Sequence, residues 1–210
     1  MLRTKGAVAA LSGLAAASVI GFTGAAHAAP SPNGANAPRM YGNPAAAAPF
    51  WRRQHGTDCA EMAVADVVGE VTGRQPSEPE INGFAQSTPS AVHPGPIWQP
   101  GANTDNRDMP ILLGHYGVRS MMGVFDLGAL EQFLDQGRKV IAGVNSETLW
   151  NVRGDRSRGD HFVVVTGIDT KAHVVHLNDS GIDSGRDEQF PFAAFERAWG
   201  ISQNFALVTT

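Results

Sequence analysis

The stretch "HFVVVTGIDTKAHVVHLND" (161–179) narrows the choice of fold more than any other part of the chain. Two runs rich in valine flank a short polar segment, "IDTKA", and such runs read as strands joined in a β-hairpin. With a five-residue loop at 168–172, Gly167 pairs with His173 and partner numbers sum to 340. His161 then stands opposite Asp179, with Cβ atoms about 4.5–5.5 Å apart. Alternation groups His161 with Val163 and Val165, and Asp179 with Leu177 and Val175, while Asn178 and Asp160 point the other way. Further strands are expected at "KVIAGVN" (139–145) and "NFALVTT" (204–210). Helical periodicity marks 59–73, 108–116, 127–136 and 191–199. Helices first and strands later predict an α+β domain with an antiparallel sheet.

The first of those helices opens with Cys59, the only cysteine among 210 residues. Asp58 reads as its N-cap and Glu61, three residues on, completes a capping box. Apolar Ala60, Val64, Val67, Val68 and Val71 share a face, and Gly73 ends the helix. A thiol there lies near unpaired N–H groups and the positive end of the helix dipole, surroundings that favour the thiolate. One cysteine allows no internal disulfide, so the core must hold the fold alone. Residues 86–108 are rich in proline and glycine, and so long a loop is expected to border a functional cleft. Trp98, Trp150 and Trp199 are expected to pack in the core.

The chain begins "MLRTKGAVAALSGLAAASVIGFTGAAHAAP": Arg3 and Lys5, an apolar run, then "AHA" before Ala29. This is the pattern of a signal peptide (1–28) cut between Ala28 and Ala29, so the protein is expected to be secreted. Residues 29–49 read as an Ala/Pro/Asn-rich flexible spacer, and 50–210 as one domain. Without the two basic residues of the signal, 14 Lys and Arg face 20 Asp and Glu, a formal charge of −6. That balance argues against nucleic acid as a partner. No later segment is long and apolar enough to span a bilayer.

A helix-start cysteine, a histidine and an orienting carboxylate are the parts of thiol-based nucleophilic catalysis. Taken singly, each residue also fits a plain structural role. Together with Gln54, the boxes "DCAEMA" (58–63), "DHFVVVTGID" (160–169) and "VHLNDSG" (175–181) resemble those of papain-like cysteine peptidases. The nearest branch is that of the bacteriocin-leader (double-glycine) peptidases and their secreted bacterial relatives. The resemblance implies a papain-like fold, in which a helix carrying the cysteine packs on a sheet carrying the histidine and the aspartate. It makes Cys59 the nucleophile, His161 the general base and acid, Asp179 the orienting residue and Gln54 an oxyanion-hole donor. Two positions depart from the pattern: Ala60-Glu61 stands where relatives have Gly-Pro, and Gln54 is one residue nearer the cysteine. The implied reaction is hydrolysis of peptide or protein amide bonds through a thioester, without metal or organic cofactor. A cell-wall amidase or transpeptidase with the same thiol chemistry, and an inactive binding protein on this fold, are the alternatives.

Overall fold

The computed structural model describes residues 39–210. The expected signal peptide lies outside the described residues. An antiparallel sheet of seven strands forms the middle layer. They are β1 (Met40–Gly42), β2 (Ser120–Val124), β3 (Val140–Val144), β4 (His161–Asp169), β5 (Val174–Asn178), β6 (Glu188–Pro191) and β7 (Phe205–Thr209). The order across the sheet is β2-β7-β3-β4-β5-β6, and β1 pairs with the far half of β4 beyond the end of β3.

Helices α2 (Cys59–Thr72), α3 (Glu78–Ser87) and α4 (Met109–His115) cover one face. Their Val64, Val67, Val68, Ile81 and Leu112 meet Ile141, Val164 and Leu207 of the sheet. The other face packs against α5 (Leu127–Asp135) and α7 (Phe192–Ile201) through Val140, Val163, Val165, Val175 and Leu177. Two short helices, α1 (Pro44–Ala47) and α6 (Ser146–Leu149), complete the set. Apolar cover on both sides explains why β4 reads as a continuous valine run instead of alternating. Each fully buried Val or Leu contributes about 1.5–3 kcal/mol, so two apolar layers replace the missing disulfide. Among the described residues, no helix is long and apolar enough to cross a membrane.

Three expectations need correction. Order begins before Phe50: β1 adds Tyr41 to the core, and Asn43 accepts the Ala46 N–H to start α1, so the spacer cannot extend to residue 49. The hairpin register also differs. Thr170 to His173 form the turn, His173 is left-handed (φ 58), and Asp169 pairs with Val174, three places away from the expected sum. A bulge between Val165 and Gly167 returns one place, and Val164 pairs with Asn178. The net slip at the His161 end is two, an even number, so side-chain parity survives. Finally, Asp58 precedes α2 but makes no side-chain cap: its backbone (φ −111, ψ 32) is not extended, and its oxygens accept from the Gly56 N–H and Asn82 Nδ2. The capping box forms instead at Ser77 and Glu80, at the head of α3.

Candidate active site

The end of β4, the segment after β5 and the head of α2 bring His161, Asp179 and Cys59 together. His161 Nε2 donates to Asp179 Oδ1 at 2.7 Å, and both side chains are buried. Asp179 lies just past the last residue of β5 as a diagonal neighbour of His161, not directly opposite it. Its backbone N–H donates to the Gly185 carbonyl at 2.7 Å, a close approach that a Cβ at position 185 would block. The carboxylate is fully committed: Oδ1 also accepts the Gly181 N–H at 2.7 Å, and Oδ2 accepts Trp150 Nε1 at 2.8 Å. Trp51 Nε1 donates to the Asp179 carbonyl oxygen at 2.6 Å. With Nε2 engaged, Nδ1 is the imidazole nitrogen left for Cys59.

Burial disfavours charge on His161, but the Asp179 carboxylate beside it and hydrogen bonding to Asp179 and Cys59 outweigh that, pushing the imidazole up to about 10. Burial likewise opposes charge on Asp179, yet His161, Trp150 and the Gly181 N–H hold its carboxyl below the usual range. At neutral pH the pair is imidazolium and carboxylate. Helix α2 has no side-chain cap on its first N–H groups, and Asp58 and Glu61 set two carboxyl groups at its head.

Cys59 and His161 line a cleft of about 420 Å³. One wall is the 103–106 stretch of the proline-rich loop; the other is formed by 157–162 and by the turn after α7. Gly143 and Phe205 complete the lining. The loop is ordered by buried Asp108, which accepts the Ser90 hydroxyl and the Ala91 N–H, and by Thr104, whose hydroxyl donates to Glu61. Asp160 turns to Ser146, accepting its N–H and its hydroxyl, and Asn178 donates to Asp66 and the Ala47 carbonyl. Gln54 does not line the cleft. Its Oε1 accepts the Ser180 hydroxyl, and its Nε2 donates to the Gly56 carbonyl at 2.8 Å.

Sequence reasoning missed the two indoles on Asp179. Trp98 and Trp199 are core residues as expected, but Trp150 is only partly buried, with its ring centroid 5.2 Å from that of His161. Trp51 and Trp150 sit in irregular segments far from Asp179 in sequence, and no local spacing marks them.

The profile of the Peptidase_C39 like family matches residues 49–207, a span that contains Cys59, His161 and Asp179. The chain belongs to the Peptidase_C39 like family. Its curated relatives include the uncharacterized proteins Rv1268c of Mycobacterium tuberculosis and Mb1299c of Mycobacterium bovis. Each is 46% identical over 205 residues, covering 86% of this chain and 88% of the relative. Among solved structures, a putative C39-like peptidase from Bacillus anthracis superposes with a TM-score of 0.62 at 16% identity, covering 82% of this chain and 98% of that one. The peptidase domain of Streptococcus ComA gives 0.54 at 16% identity, covering 76% and 96%. These structures share the fold. The Peptidase_C39 like chain is therefore a cysteine peptidase-like protein of papain-like architecture.

Proposed function

We propose that this is a secreted cysteine peptidase that hydrolyses peptide amide bonds through Cys59, His161 and Asp179. The observation that carries the reading is the buried 2.7 Å His161–Asp179 bond in the same cleft as the helix-start cysteine. The nucleophile is the thiolate form of Cys59 Sγ, with the charged His161 imidazole beside it as proton donor. Sγ attacks the substrate carbonyl carbon, and the oxyanion is met by the Cys59 backbone N–H at the uncapped head of α2. As the C–N bond breaks, His161 gives its proton to the leaving amine, and the acyl group remains as a thioester. Neutral His161 then takes a proton from water, whose oxygen displaces Sγ. The acid leaves, and the thiolate–imidazolium pair is restored. Asp179 holds the tautomer and the charge throughout.

Incubating the protein and its Cys59→Ala variant with a peptide library and with a peptidoglycan digest, read by mass spectrometry, tests this. New peptide termini with the wild type alone are expected. New cross-links would make the protein a transpeptidase, and identical spectra for both proteins would leave a binding function. Export is part of the proposal. It rests on Arg3, Lys5 and "AHA" before Ala29, and N-terminal sequencing of protein from the culture medium should begin at Ala29.

A further inference from the structure

The turn after α7 lines the cleft with Ser202 and Gln203, and neither residue has a part in the chemistry above. Ser202 Oγ is buried and has no hydrogen-bond partner. Gly159 of the facing loop comes so near that a Cβ there would collide with this hydroxyl. Gln203 and Asn204 are both left-handed, each with φ 56. Asparagine tolerates that region, whereas glutamine is strained in it. The turn is held regardless. The N–H groups of Ser202 and Asn204 donate to the Trp199 carbonyl, that of Gln203 to Gly200 and that of Phe205 to Ser202. Trp199 Nε1 adds a bond to the Phe205 carbonyl at 2.8 Å. Glycine would adopt the same turn freely, so nothing in the fold calls for glutamine. Backbone strain kept at a cleft points to a side chain in use there. A primary amide offers one donor face and one acceptor, the complement of the N–H and C=O that an extended peptide presents on one edge.

We propose that Gln203 forms the docking point for the main chain of a peptide substrate, its amide pairing to one residue's N–H and C=O, while Ser202, sealed against Gly159, only holds the turn. The inference rests on the peptidase reading of Cys59. It makes recognition at this end of the cleft a matter of backbone geometry instead of side-chain identity.

Two thiol probes separate the two claims. Iodoacetamide alkylates Sγ without a peptide to dock. A set of N-acetyl dipeptidyl chloromethyl ketones alkylates the same sulfur, with loss of chloride, after the peptide part has bound. Gln203→Gly should react with iodoacetamide at the wild-type rate. With the best dipeptidyl ketone it should need about tenfold more reagent for half-saturation, at an unchanged maximal rate. Its thermal midpoint should hold or rise by up to about 3 °C, because strain is released. Ser202→Ala, which breaks no internal bond and removes a hydroxyl sealed under Gly159, should match the wild type with both probes. If wild type reacts with iodoacetamide while Gln203→Gly shows no selective loss with the ketones, the docking point is wrong and the peptidase reading stands. The same holds if reactivity and stability fall together. If folded wild type reacts with neither probe, the thiol reading fails and takes this inference with it.

Discussion

Glu61→Gln removes a charge from the interior two residues from Cys59. Glu61 is 0% exposed; Oε1 accepts the Thr104 hydroxyl, while Oε2 is buried without a partner. Burial pushes its carboxyl from 4.5 to about 7, with the Thr104 hydroxyl and a backbone N–H pulling back and Asp58 adding repulsion. A carboxyl raised on folding binds its proton more tightly in the native state, so stability falls as pH climbs from 4.5 to 7. Allowing for partial ionisation of the unfolded chain at pH 5, the loss between pH 5 and pH 8 is about 2.5 kcal/mol from this group. Glutamine keeps the acceptor for Thr104 and carries no charge at either pH. Urea unfolding of both proteins at pH 5 and pH 8 isolates the effect, since Asp66, Glu70 and other buried acids are common to both. Relative to its own value at pH 5, the variant at pH 8 should be about 2.5 kcal/mol better off than the wild type, about 5–10 °C in thermal midpoint. A gap that stays constant between the two pH values would refute the buried-charge argument.

Trp150→Phe deletes the bond to Asp179 Oδ2 but keeps a ring beside His161, so turnover should fall about tenfold with the circular dichroism spectrum unchanged. Asp179→Asn should drop the His161 titration, followed by NMR, well below about 10, because the carboxylate no longer offsets burial and only Cys59 still raises it; turnover should fall by orders of magnitude, whereas Asp160→Ala should cost far less. Gly185→Ala should destabilise the fold by about 1–3 kcal/mol in urea, since the added Cβ strikes the Asp179 carbonyl. The His161 pairing stabilises the native state fully below pH 6.5 and loses that contribution as pH rises through about 10; a His161→Gln variant should show a flatter alkaline unfolding curve.

The hairpin, the helix at Cys59 and the three-residue site were legible because each leaves a local mark: valine runs, a 3.6-residue period, a histidine and an aspartate of the right parity. The register was not. Asp169 accepts the N–H groups of Lys171 and Ala172, folding the turn later than loop length alone predicts, and a bulge near Thr166, beside the β1–β4 pairing, leaves no local mark. The pairing of His161 with Asp179 survived because the two errors left an even remainder. β1 and β6 escaped notice because they are short, β2 because "SMMGV" has no run of β-branched residues, and α3 because Pro79 and Gly83 disguise it. Gln54 was placed by resemblance, and in the fold its amide is tied to Gly56 and Ser180.

The indole of Trp150 lies tilted at 60° and 5.2 Å from the imidazole of His161, with its N–H fixed on the same carboxylate. An imidazolium at that range takes an electron from an excited indole, and a neutral imidazole does so far less readily. The charge on His161 is thereby written into the emission of Trp150, dim while the ring is protonated and brighter once it is not. Trp98 and Trp199, packed in the core, and Trp51 add their own emission. Any event in the cleft that draws the proton from His161, the proposed acyl transfer to Cys59 among them, can then be followed in real time by the protein's own light, with no label attached.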